Sequence, residues 1–194
     1  MPFVLTVDQR ASRRGPDRVA GVLSALSDVP AVLGFERTAG DEFQGVLADV
    51  PDVVDVLRRL ARDGGWSIGV GAGPVQTPLP ASTRAATGTA FLCARRAVDA
   101  AKQRPVRVAV RGQDAEAAGD AQAVLTALVV LVTRRSAQAW QAIELVERGR
   151  TQAEAATRLG ISRQAVGQRL AAGLWEVERD LHPAAGRLLR RAAG

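Results

Sequence analysis

Two sets of side chains in this 194-residue chain have the types and spacing to do chemistry. The first is acidic. Asp8 closes an apolar run near the start, and Asp41 and Glu42 stand together in a turn sequence, Thr38-Ala39-Gly40-Asp41, between two apolar runs. Carboxylates gathered from distant positions suit Mg²⁺ or Mn²⁺, which take oxygen ligands and share them with phosphate oxygens. Metal ions held this way could activate a hydroxyl and steady a triphosphate leaving group. The plainer alternative is that Asp41 serves the turn and Asp8 caps the segment that follows.

The second set is long and polar. In residues 151–170, TQAEAATRLGISRQAVGQRL, Thr151 stands at an N-cap position with Glu154 three residues later, a capping-box pattern. Ala155, Ala156 and Leu159 share one helical face, and Gly160 offers the left-handed conformation that ends a helix. Ile161 plugs the turn, and Ser162 caps a second helix whose Val166 and Leu170 point inward. Arg163, Gln164, Gln168 and Arg169 then face outward, as side chains that reach base edges or phosphates in a major groove. The spacing predicts a DNA-binding helix-turn-helix; the alternative is a helical hairpin that only packs.

The elements that must position these groups follow from periodicity. Residues 2–7 predict a strand ending at Asp8, and Asp17–Leu26 an amphipathic helix. Ala31–Arg37 and Glu42–Leu47 predict a hairpin, and a helix from Pro51 to about Arg62 stops at Gly64-Gly65. Trp66–Val75 is strand-like, Arg84–Lys102 contains a helix, and Val106–Val110 is a short strand. The order β-α-β-β-α-β, then a helix and strand, predicts an α+β protein: a ferredoxin-like, palm-type antiparallel sheet with helices on one face. Ala121–Thr133 predicts a strongly apolar helix, and Trp140, Ile143 and Val146 the first helix of an all-α helix-turn-helix region. The expected division is residues 1–112 for the sheet, 113–133 for a connector or dimerisation helix, and 134–194 for DNA binding.

The acidic hairpin carries a resemblance. Thr38-Ala39-Gly40-Asp41-Glu42-Phe43-Gln44 resembles the GDEFQ signature of the SatD family and, more distantly, the hairpin of GGDEF-type nucleotide cyclases, whose first glycine is Ala39 here. Asp8 with Ser12-Arg13 resembles that family's early D…SR element, and Ile68–Gly73 its IGIGIG strand. Thr87-Gly88-Thr89-Ala90-Phe91 with Ala94-Arg95 resembles its GPAF…AR segment, Thr89 replacing the usual proline. Ala97–Lys102 is similar to the AD…AK helix of GGDEF proteins, and together the matches cover about residues 3 to 110. The resemblance implies a palm-like fold that binds a nucleotide. By position it makes Asp8, Asp41 and Glu42 the metal ligands. Gly40 would admit a phosphate, Lys102 would touch one, and Ser12, Arg13 and Arg95 would be looser phosphate contacts.

Composition narrows the classes. Of 26 basic residues only Lys102 is lysine, and residues 134–194 carry net +5 against +1 for the rest, a surplus where phosphate contact requires it. Cys93, the one cysteine, excludes an internal disulfide and reads as a core residue; His182, the one histidine, has no visible acid partner in sequence. No signal peptide is read, and Ala123–Val132 is too short an apolar run to span a bilayer, so a cytoplasmic setting without membrane contact is expected. Gly69, Gly71 and Gly73 leave one strand face bare for a packed helix more than for a ligand, and GRLLRRAAG reads as a basic end helix or tail. The expectation is a transcriptional regulator, a homodimer on double-stranded DNA, whose sheet region senses a nucleotide with Mg²⁺ or Mn²⁺. A metal-dependent nucleotide cyclase or polymerase-like enzyme carrying the helix-turn-helix is the alternative, and a palm used only for dimerisation a third.

Overall fold

The computed structural model describes residues 1–12 and 15–194. Among them run β1 (Phe3–Gln9), α1 (Val19–Ala25), β2 (Leu33–Ala39), β3 (Glu42–Leu47), α2 (Val50–Asp63), β4 (Trp66–Ala72), α3 (Thr89–Ala101) and β5 (Val108–Arg111). Five further helices follow: α4 (Ala115–Thr133), α5 (Ala137–Glu147), α6 (Gln152–Leu159), α7 (Arg163–Ala172) and α8 (Trp175–Ala192). The protein is therefore α+β, one five-stranded sheet with helices.

Strand order is β2-β3-β1-β4-β5. Central β1 runs antiparallel to β3 and to β4, but β5 runs parallel to β4. The sheet is mixed where an antiparallel one was expected, because α3 carries the chain across between β4 and β5, the connection a parallel pair needs. Helices also cover both faces instead of one. Strand side chains alternate: Phe3, Leu5, Val7, Phe43, Leu47, Ile68 and Val70 join a large core with α1, α2, α4 and α8. Val4 and Val46 point the other way, toward Ala90 and Ala94 of α3. On that face a Cβ at Gly69 or Gly71 would overlap the backbone of Val98 or of Ala90 and Ala94. These two glycines let α3 lie directly on β4, so close packing explains them.

Two segments differ from the sequence reading at the C-terminal side. The polar stretch 112–120 is mostly helix: Asp114 accepts a hydrogen bond from Ala117 N (2.9 Å) and starts α4 six residues before the apolar run. The end, GRLLRRAAG, takes the helical alternative, as the last turns of α8, but is packed inward. Leu189, Ala192 and Ala193 are fully buried in the large core beside Leu125 and Leu128 of α4. Both α4 and α8 thus pack under the sheet, and α5 to α7 lie between them in sequence. α4 is long and apolar enough, by length and composition, to cross a membrane; here its Ala117, Ala121, Leu125 and Leu128 face the protein core.

Candidate nucleic-acid interface and acidic cleft

The helix-turn-helix forms as its local signals require. Thr151 Oγ1 accepts from Glu154 N while the Glu154 carboxylate accepts from Thr151 N (2.7 Å), a complete capping box on α6. The bond from Thr151 N, with a second from Thr151 Oγ1 (3.0 Å), holds the Glu154 carboxyl below its usual value. Gly160 takes φ +64°, and Ile161 N returns a hydrogen bond to Ala156 O (3.1 Å), closing the turn. Ser162 Oγ accepts from Ala165 N (3.1 Å) and starts α7. Val166 and Leu170 are buried with Ala155, Ala156, Trp140 and Ile143 in a second core. Ser162, Arg163, Gln164 and Gln168 are exposed and Arg169 half-buried. Neither Arg163 nor Arg169 pairs with a carboxylate among the described residues. Thr151 and Ser162 are spent as caps, whereas α7 presents free cationic and amide groups along one face.

A charged seam ties this unit to the sheet region. Glu178 of α8 is 1% exposed and meets Arg58 of α2 and Arg135, each at 2.5 Å. Arg58 also pairs with Glu147 and Arg62 with Glu144, both acids on α5. Arg62, Arg135 and Arg58 stand 4.5, 5.0 and 5.7 Å from the Trp140 ring, a favourable setting for cations. Burial pushes the Glu178 carboxyl up. The His182 hydrogen bond and the charges of Arg58 and Arg135 outweigh it and hold the group below its ordinary value. His182 therefore does have an acid partner, one helical turn away at i−4, which the sequence reading missed.

The acidic groups meet at one end of the sheet. Across the strands Asp8 stands opposite Glu42 on one side and Ser67 on the other, so all three project to the α3 face. α3 places Arg95 and Lys102 over them. Arg95 grips the Glu42 carboxylate with both terminal nitrogens, Nη2 at 2.6 Å, and Thr38 Oγ1 adds a third bond at 2.8 Å. That pairing keeps the Arg95 guanidinium above its ordinary value. Lys102 Nζ lies 2.8 Å from Asp8. Asp41, in a turn where Gly40 takes φ +54°, has no cationic partner among the described residues.

Asp8 and Asp41 line a cleft of about 720 Å³ with Ser12, Ser67, Lys102 and Arg107. A second opening beside it, about 610 Å³, is lined by Asp8, Asp41, Gly40, Ser12, Asp17 and Arg37. Gln9 fixes the loop above: its Nε2 donates to Pro16 O (2.7 Å) and its Oε1 accepts from Arg18 N (2.9 Å). The Arg37 hydrogen bond holds the Asp17 carboxyl below its usual value. Of the expected site, the structure brings together Asp8, Ser12, Asp41 and Lys102, puts Gly40 in the adjoining opening, and turns Glu42 and Arg95 toward each other. Arg13 lies outside the described residues. Among those described, no three His, Cys, Asp or Glu side chains stand close enough to share one metal ion. Asp8 and Asp41 are the carboxylates that line this cleft among the described residues, with Asp8 held by Lys102, and one or two carboxylates are the protein share of an ordinary Mg²⁺ shell. Glu42 does not fit a ligand role while Arg95 holds both its oxygens.

Sequence reasoning missed Arg10, Arg107 and Arg37. Only Arg10 carried a local signal, two residues beyond Asp8; the others reach the cleft through strand order. Searches against protein-family models, curated proteins and solved structures find no match to this chain.

Proposed function

We propose that this protein is a DNA-binding transcriptional regulator whose sheet region binds a nucleotide. The observation that carries the reading is the α6–Gly160–α7 unit: a complete capping box, a left-handed glycine turn, and a second helix with Arg163, Gln164 and Gln168 in solvent. A helix presented this way enters a major groove with its N-terminal residues at base edges. The net +5 over residues 134–194 supports phosphate contact.

The strand order β2-β3-β1-β4, with the acidic hairpin at one end, supports the SatD-like, palm-type reading of the sheet region. A nucleotide there would set its phosphates near Lys102 and Arg107, with Asp8 and Asp41 on a bound Mg²⁺. The metal would supply charge neutralisation between carboxylates and phosphates. The regulator is favoured over the cyclase or polymerase-like enzyme because, among the described residues, two carboxylates line the cleft and the third expected one is locked to Arg95. A dimer on paired half-sites belongs to the same proposal.

The test enriches a short duplex from a randomised pool on the protein itself, then measures anisotropy of the labelled product at physiological salt. Arg163→Ala and Arg169→Ala are each expected to weaken binding by about 1–3 kcal/mol, the value of a good base contact. Failure to enrich any sequence, or unchanged affinity in both variants, removes the assignment of α7.

A further inference from the structure

Behind the acidic cleft lies a second, chemically different pocket of about 310 Å³. Its floor is apolar, built from Leu60 at the end of α2, Ile68 of β4, Val106 before β5, and Val129 of α4. Val106 and Val129 are only partly buried, so apolar surface faces an opening instead of a neighbour. Three arginines, Arg10, Arg107 and Arg134, are among the residues that line it. No acidic residue lines it, and none of the three pairs with a carboxylate among the described residues. Arg107 does donate one terminal N–H to the carbonyl of Lys102, a residue of the acidic cleft, which leaves its remaining N–H groups to a ligand.

An apolar floor bordered by arginines and by no carboxylate is half of a binding site. Small-molecule pockets combine a mostly apolar lining with a few placed polar groups, and this volume falls at the small end of their range, about 300 Å³. We infer that the pocket takes a compact organic anion, its apolar body on Leu60, Ile68, Val106 and Val129 and its carboxylate or phosphate among Arg10, Arg107 and Arg134. The site is distinct from the acidic cleft, although Arg10, Gly65 and Arg107 border both. Its position also matters: Arg134 immediately precedes Arg135, which is buried against Glu178 in the seam to the DNA-reading helices. The inference does not depend on the nucleotide reading.

Isothermal titration of the full chain with indole-3-carboxylate, hexanoate and phenyl phosphate tests it, with neutral indole as control. At least one anion is expected to bind saturably at one site, with neutral indole weaker. Arg134→Gln, at an exposed position, should weaken binding about tenfold, and Thr133→Trp, at the exposed mouth, should block it. Thermal melts of both variants check that the fold is kept. Asp41→Ala should leave the affinity unchanged, because Asp41 lines the other cleft. The inference is overturned if no anion binds saturably, or if Thr133→Trp and Arg134→Gln both bind like the parent. It is equally overturned if Asp41→Ala abolishes binding, since the ligand then belongs to the acidic cleft.

Discussion

At the scale of single residues, the acidic hairpin divides its labour unequally. Glu42 is buried and shared by Arg95 and Thr38, so its charge is satisfied before any ligand arrives. Asp41 is open, and Asp8 leans on a lysine that a phosphate would attract. Nucleotide binding with Mg²⁺ is therefore expected to stabilise the protein, by about 2.7 kcal/mol at a hundred times the dissociation constant. Asp41→Ala should remove that stabilisation and Glu42→Gln should retain it. A thermal-shift panel of purine and pyrimidine nucleotides, with Mg²⁺ and with chelator, reads both; retention in Asp41→Ala would remove Asp41 from the site. The residues of this cleft were legible only in part. Asp8, Asp41 and Lys102 stood out by type and by motif. That Arg95 would neutralise Glu42 was not legible, because the pairing depends on which face of the sheet α3 covers. Nothing in the spacing of residues 95 and 42 encodes that choice.

At the scale of elements, local signals were read well and long-range ones poorly. The caps at Thr151 and Ser162, the turn at Gly160 and the stop at Gly64 all lie within a few residues of the groups they satisfy. The parallel pairing of β5, the second helical layer and the return of α8 depend on contacts far apart in sequence, which periodicity does not report. The bare glycine face of β4 was the one long-range fact visible early, and it carries a prediction. Gly71→Ala would push a methyl group into the backbone of α3, an overpacking expected to cost about 1–3 kcal/mol or more. Gly21→Ala, with open space around it, serves as the control on α1 and should cost nothing or slightly stabilise. Equal melting temperatures for the two variants would contradict the close contact between α3 and β4.

At the scale of the whole molecule, a buried carboxylate joins the parts. Glu178→Gln takes the shared anion from Arg135 and leaves Arg58 with Glu147, and breaking a buried pair of this kind costs about 3–5 kcal/mol. The pH dependence follows from the lowered pKa. The Glu178 contribution is fully present above the ordinary glutamate value of 4.5 and is lost as pH falls through the lower value it has in the folded protein. Denaturant titrations across that acidic window should show a steeper loss of stability for the parent than for Glu178→Gln; parallel curves would mean that the seam carries little of the coupling. The burial of Leu189, Ala192 and Ala193 has a separate consequence, for how the protein is made. A ribosome delivers the sheet first, yet part of its core arrives with α8, three helices after α4. The nascent chain must leave Leu125 and Leu128 open on their α8 side while α5, α6 and α7 emerge, so the core closes only once α8 has left the ribosome. A chain halted after Leu174 would carry the α6–α7 helix-turn-helix on an unfinished core, and should sediment with aggregates when the 194-residue chain stays in the supernatant.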